Sequence, residues 1–320
     1  MAARAPKNVV SVALADVVLA HNRLAPYLVP TPIEEAPGLG QRVWLKLENV
    51  NRTHSFKIRG ALNAMLTLDD AARARGVIAA SSGNHAQGIA CAAHMLGVRA
   101  RIVMAEGVAK RKIAGVGRWG GEVILHGETY TDAEAEALRL RAAEGLTYIS
   151  PYNDRQVVSG QGTIGLEIVE ALPDVERVIV PVGGGGLISG IALAIKALRP
   201  SVEVIGVSPV DAPTMYNAFY DAALPDPEVS IADALPGAIE RGSITLALTQ
   251  QYVDRIVLVE ESAIREAMRW LLAEQGWLVE GGGAVGVAAL EWGLIADDGV
   301  PTCVVISGGN IDAEVVRGVL

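Results

Sequence analysis

Four short segments of the 320-residue chain concentrate residues able to do chemistry: THSFKIRGA around Lys57, SSGNHAQG from Ser81 to Gly88, PVGGGGLISG from Pro181 to Gly190, and SGGN from Ser307 to Asn310. The physics is clearest for the four successive glycines, Gly183, Gly184, Gly185 and Gly186. They follow an apolar run and open a helical pattern, so bare backbone amides gather where a helix start carries partial positive charge. A loop without Cβ atoms can wrap a phosphate closely. The plainer reading is a tight strand-to-helix turn, yet ordinary turns seldom use four glycines in a row.

Lys57 has Phe56 beside it as an apolar wall. A lysine that loses hydration loses basicity, and its free amine then forms imines. Spacing alone leaves Lys57 an ordinary solvated charge; a phosphate cradle in the same chain suggests pyridoxal phosphate. Ser81, Ser82, Gly83, Asn84 and His85 place hydroxyl, amide and imidazole groups at a helix start. That array suits a substrate carboxylate, and it suits simple N-capping as well.

Other chemistries lack their signatures. No glycine is followed by lysine, which removes the nucleotide P-loop. The G-x-G-x-x-G spacing occurs at Gly115, Gly117, Gly120 and at Gly281, Gly283, Gly286, but neither follows a strand in a βαβ context, so both read as chance spacings or packing glycines. Cys91 and His94 have no further ligands spaced to complete a zinc site, and no serine sits in a nucleophile elbow.

These segments need a scaffold of alternating elements. Apolar runs at 43–47, 77–80, 101–103, 122–125, 177–181, 203–207, 256–259 and 302–306 predict strands. Helical patterns at 84–96, 109–119, 131–144, 159–171, 186–198 and 261–275 lie between them. Such alternation predicts an α/β fold of open, mostly parallel sheets covered by helices, with ligands at the carboxyl ends of strands. A break near 150–154 marks the end of a segment with its own sheet. A net charge of -9 opposes a nucleic-acid partner. Cys91 and Cys303 lie in apolar stretches and fit a reducing cytoplasm. Residues 1–11 show no secretory signal pattern, and the uncharged run 178–195 is interrupted by Pro181 and the glycines, which argues against a membrane span.

In order along the chain, SFKIRGA, SSGNHAQG, GGGGLISG and SGGN resemble the serine/threonine dehydratase and serine racemase family of fold-type-II pyridoxal phosphate enzymes, related to the tryptophan synthase β subunit. The resemblance implies two domains: residues 1–52 with 153–320 as a large cofactor-binding domain, and 53–152 as a smaller one inserted in it. It implies that Lys57 holds the cofactor as an imine and moves the Cα proton. Phe56 would lie against the cofactor, Asn84 would bond its phenolic oxygen, and Ser307 would face its pyridine nitrogen. Gly183, Gly184, Gly185, Gly186 and Leu187 would bind its phosphate, while Ser81, Ser82, Gly83, Asn84 and His85 would receive the substrate. The implied reaction is α,β-elimination from a β-hydroxy amino acid such as L-threonine or L-serine, giving a 2-oxo acid and ammonia, in a cytoplasmic homodimer.

Departures from the family pattern qualify this. Ser82 stands where many threonine dehydratases have alanine and where serine racemases use a second acid/base, so racemisation is the alternative activity. A cofactor carrier without turnover would not need the SSGNH segment. Ser208, Ala212 and Thr214 replace the ligands of metal-activated members, so no metal is expected. Ala234 follows Asp233 where relatives have glycine, on the substrate side, and 3-hydroxyaspartate, phenylserine or a hydroxyectoine-derived compound stay open as substrates. The chain ends at Leu320, too early for a C-terminal regulatory domain.

Overall fold

A computed structural model describes residues 12–227, 229–240 and 242–319. The expectations about the first eleven residues and about Leu320 lie outside the described residues. The strands are β1 (Ile33–Glu35), β2 (Val43–Leu47), β3 (Val77–Ala80), β4 (Ala100–Met104), β5 (Glu122–Leu125), β6 (Thr147–Tyr148), β7 (Arg177–Pro181), β8 (Glu203–Pro209), β9 (Arg255–Val259) and β10 (Thr302–Ile306). They form a six-stranded sheet, β1-β2-β10-β7-β8-β9, and a four-stranded sheet, β5-β4-β3-β6. Only the short β1 runs antiparallel, against β2; the other pairings are parallel. The expected α/β class with two helix-covered, mostly parallel sheets is what the chain adopts.

Continuous apolar runs become strands here because helices cover both faces of each sheet. In β7 and β10, Ile179, Val304 and Ile306 face one core with the helices Glu261–Ala273 and Gly281–Glu291. Val178, Val180, Cys303 and Val305 face the other, with the helices Arg155–Ala171 and Gly186–Leu198. The small sheet divides likewise: Val77 and Ala79 face one cluster, Ile78 and Ala80 the opposite one.

Several elements differ from expectation for local reasons. The helix expected from residue 159 begins at Arg155, because the Asp154 side chain accepts hydrogen bonds from the amides of Gln156 and Val157 at 2.7 and 2.9 Å. Lys57 opens a full helix, Lys57–Leu66, although Phe56 provides no side-chain cap. Its start is tied instead by the Phe56 amide donating to Ser307 O at 3.1 Å and by a bridge between Ser55 and Gly308. The spaced glycines are close-packing positions as expected for Gly283 and Gly286, where an added Cβ would stand 2.7 Å from Gly308 O and from Val304 Cγ1.

One close helix crossing bears directly on the site. At Gly160 an added Cβ would lie 2.7 Å from Arg59 O and 2.7 Å from Gly60 Cα, so the helix Arg155–Ala171 touches the backbone of the lysine helix. Gly160→Ala is therefore expected to destabilise the fold by about 1–3 kcal/mol, read as a lowered urea midpoint. An unchanged midpoint would show that the two helices separate without cost.

Candidate active site

The chemically equipped segments follow parallel strands and meet at their carboxyl ends, where open α/β sheets place ligands. Ser81 follows β3, the glycine loop follows β7, and Ser307 follows β10. The Phe56–Ser307 hydrogen bond joins the first segment to the last. Gly88 brings the helix Asn84–Leu96 against the lysine helix, since an added Cβ there would lie 3.1 Å from Lys57 C. The glycine loop is tied in through Pro151 and Tyr152, described next.

Lys57 retains some exposure as a residue, but its amine has lost most of its water. Nζ donates to Pro151 O at 2.9 Å and stands 5.1 Å from the Phe56 ring centre. Among the described residues it has no salt bridge, so desolvation pushes its pKa down to about 8, with the Glu280 charge acting in the opposite direction. Ammonium still predominates near neutral pH, but the free base is far more abundant than for an ordinary lysine at 10.5.

Gly183, Gly184, Gly185 and Gly186 turn from β7 into the helix Gly186–Leu198, with Gly185 at φ +82°. Every position is hemmed in: an added Cβ would stand 2.6 Å from Leu235 O at Gly183 and 2.7 Å from the Tyr152 ring at Gly184. The Thr245 hydroxyl donates to Gly184 O at 2.7 Å, holding one loop carbonyl. The first-turn amides of a helix have no carbonyl behind them, so those of Gly186 and Leu187 are available to an anion.

Asn84 is fixed from both ends of its amide. Nδ2 donates to Glu280 Oε1 at 2.7 Å and Oδ1 accepts from Asn310 Nδ2 at 2.8 Å, leaving one N–H for a further acceptor. The Asn310 amide also donates to Glu280 Oε2 at 3.1 Å. Glu280 is buried, and loss of hydration with the nearby Asp233 charge pushes its pKa up to about 8, against the donors Asn84 and Asn310.

His85 is buried, and desolvation followed by repulsion from Lys57 holds its pKa down to about 3, so the ring is neutral. Its Nε2 lies 3.0 Å from Ile149 O, which can only accept, so Nε2 carries the hydrogen and the buried Nδ1 is a bare acceptor. Ser81 Oγ accepts from the Gly83 amide at 3.2 Å, and Ser81, Ser82 and Gly83 are half-buried at the helix start. Ser307 is buried and its hydroxyl donates to Gly282 O at 3.3 Å. Ser208 Oγ donates to Val182 O, and Thr214 Oγ1 to Asp226, so both hydroxyls are engaged within the protein.

Sequence reading assigned no site role to Pro151, Tyr152, Thr245 or Glu280, and marked Asn310 only as the end of the SGGN segment. Glu280 carried a readable signal, a lone acid inside an apolar and glycine-rich stretch; Pro151, Tyr152 and Thr245 have none, because their roles rest on contacts across the fold. The assembled set fits pyridoxal phosphate: a glycine cradle that tolerates no Cβ, a lysine amine of lowered basicity, a spare asparagine N–H and a buried serine.

Comparison with known proteins agrees. Residues 24–308 match the sequence profile of the pyridoxal-phosphate dependent enzyme family. The chain is 44% identical over 284 residues to the L-threonine ammonia-lyase of Thermotoga maritima, covering 88% of this chain and 70% of that protein. It is 41% identical over 308 residues to the catabolic L-threonine dehydratase TdcB of Escherichia coli, covering 94% of each. Among solved structures, maize serine racemase superposes with a TM-score of 0.90 at 31% identity, covering 96% of both chains. The processed form of threonine deaminase isoform 2 from Solanum lycopersicum gives 0.86 at 34% identity, covering 96% of this chain and 92% of the other.

Two outcomes follow from the geometry. Gly184→Ala sets a methyl against the Tyr152 ring and is expected to weaken pyridoxal phosphate binding about tenfold or more, measured by equilibrium dialysis. In the cofactor-free protein, Glu280 keeps its proton up to about 8 instead of the ordinary 4.5. The stability linked to that neutral acid is fully present below 4.5 and is lost as pH rises through about 8. Glu280→Gln, which resembles the neutral acid, should therefore gain stability relative to the unsubstituted protein across that window in urea unfolding. A difference that stays flat with pH would refute the raised pKa.

Proposed function

Because the chain belongs to the pyridoxal-phosphate dependent enzyme family, we propose that it is an ammonia-lyase of β-hydroxy amino acids such as L-threonine and L-serine. The β-hydroxyl leaves as water, the remaining unsaturated amine takes up water, and a 2-oxo acid and ammonia are released. The observation that carries this reading is the Lys57 amine, unpaired by any described carboxylate and lowered to about 8, at the junction of the glycine cradle and the serine-rich helix start. The curated relatives named for threonine ammonia-lyase and dehydratase activity support it.

Bound pyridoxal phosphate supplies the electron sink that makes the Cα–H bond of an amino acid breakable. The chain's own residues do the rest. Gly183, Gly184, Gly185, Gly186 and Leu187 would hold the phosphate, Asn84 would offer its spare N–H to the phenolic oxygen, and Ser307 would meet the ring nitrogen. Phe56 walls one side. Ser81, Ser82, Gly83, Asn84 and His85 orient the substrate carboxylate at the positive end of the helix Asn84–Leu96. Lys57, which would hold the cofactor, is the group placed to accept and return the Cα proton; an amine pKa lowered to about 8 suits both directions of transfer. His85 stays neutral and so does not compete with Lys57 for protons.

Ser82 favours a second reading. It is half-buried at the mouth of the same helix start, and structural neighbours include serine racemases and an aspartate racemase. A hydroxyl on the face opposite Lys57 would allow the proton to return from the other side. The division into residues 1–52 with 153–320 and an inserted 53–152, a homodimeric state and a cytoplasmic location complete the proposal; the two separate sheets support the division and the two free cysteines fit a reducing compartment.

Lys57→Ala is expected to abolish the visible absorbance of lysine-bound cofactor and to lower oxo-acid release from L-threonine by at least about 10³-fold. Full turnover in that variant would sink the assignment. Chiral analysis separates the second reading: Ser82→Ala should lose racemisation while retaining elimination, whereas unchanged racemisation rejects a role for Ser82.

A further inference from the structure

Behind Lys57 the chain buries a closed set of charges that touches neither substrate nor cofactor positions. Lys46, Glu48, Arg59 and Glu167 are all less than a tenth exposed, two cations matched by two anions. Lys46 lies on β2, Glu48 just after it, Arg59 in the first turn of the lysine helix, and Glu167 on the helix Arg155–Ala171. Arg59 spends all five of its N–H donors: Nε and Nη2 on Glu48 at 2.8 and 2.9 Å, Nη1 and Nη2 on Glu167 at 2.5 and 2.9 Å, and Nη1 on Thr163 at 3.1 Å. Lys46 completes the balance with 2.5 Å to Glu167 and 2.7 Å to Thr31 O.

We propose that Arg59, clamped between Glu48 and Glu167, is a positioning residue that sets where the Lys57 amine stands; the proposal rests on the reading of Lys57 given above. Lys57 needs such support. It is the first residue of its helix, the preceding Phe56 offers no side-chain cap, and its own amine is held by a single carbonyl. Two residues on, a planar guanidinium with every donor used fixes both translation and rotation of that helix turn. The next amide is held too, Gly60 N donating to Gln161 Oε1 at 3.1 Å. Together these bonds tie the lysine turn to β2 on one side and to the helix Arg155–Ala171 on the other.

Stability alone does not account for the arrangement. Burying four charges costs hydration that their attraction scarcely returns, and apolar residues of similar size commonly fold as well. Geometry is what the fork supplies, since a planar bidentate cation defines a direction that a point charge does not. A displacement of about 1 Å at a reacting group costs on the order of 10²-fold in rate, so a modest slip of the lysine turn would be felt in kcat.

The test uses the holoenzyme of two variants. Arg59→Lys keeps the charge but cannot span both carboxylates. Lys46→Met/Glu48→Leu/Arg59→Met/Glu167→Leu removes every charge together, so none is left stranded. The expected result for a variant that folds is full visible absorbance of bound pyridoxal phosphate, loss of at least half of its induced visible circular dichroism, and kcat lowered about 10- to 100-fold with KM nearly unchanged. Thermal midpoint is recorded in parallel. A folded variant with unaltered visible circular dichroism and kcat overturns the proposal, and so does failure of both variants to fold, which would make the cluster a stability element. The circular dichroism arm does not depend on the substrate: if the unsubstituted enzyme releases no oxo acid, the ammonia-lyase reading fails while the positioning of Lys57 is still decided.

Discussion

Hydration lost by a cation must be replaced by something, and the segment from residue 46 to residue 59 carries three cations into the protein. Lys46 and Arg59 are answered by the carboxylates Glu48 and Glu167. Lys57 is answered only by the carbonyl of Pro151, a dipole in place of a charge. The same physical cost thus has two outcomes. Where anions are supplied the charge is favoured: Arg59 is held well above its ordinary range by Glu48 and Glu167 despite its burial. Where no ion pair is made the amine gives way, falling to about 8 although the Glu280 charge opposes the shift. An unpaired lysine is useful only if its backbone is held by other means, and the neighbouring ion cluster together with the Gly88 and Gly160 contacts meets that need.

Anion recognition in this chain is local. A net charge of -9 gives no general attraction for a phosphate or a carboxylate. Parallel strands instead deliver helix starts to one edge, where the glycine loop after β7 and the serine loop after β3 present amides and positive helix ends. The acidic group nearest the site follows the same economy. Glu280 stands at the start of the helix Gly281–Glu291, yet burial and Asp233 favour its neutral form, so it buttresses Asn84 with little added negative charge beside Lys57.

Much of this was legible along the chain. Composition and alternation of apolar runs settled an α/β class, and β2, β3, β5, β7 and β10 have the bounds their apolar runs predict. β3, β7 and β10 are mostly apolar and buried along their length, a pattern that burial on both faces dictates, while β2 admits Lys46 and β5 leaves both ends exposed. The glycine loop was equally legible as a candidate anion cradle, because consecutive glycines before a helix have few other uses. Less visible were β1 and β6, three and two residues long, which exist only because β2 and β3 offer them an edge.

Residue types and their order along the chain were therefore enough to determine the fold class, the anion loop and the candidacy of Lys57. Tertiary structure alone decided what Lys57 became. Its lowered basicity comes from the burial that folding imposes, its amine is held by Pro151 O, 94 residues away in sequence, and the Asn84 amide is oriented by Glu280 and Asn310, 196 and 226 residues away. A pKa is set by the charges, dipoles and water within a few ångströms, and a local sequence window does not contain those neighbours. Arg59 shows the same limit: beside Lys57 in sequence it reads as a second surface cation, and only the approach of β2 and the helix Arg155–Ala171 turns it into a buried fork.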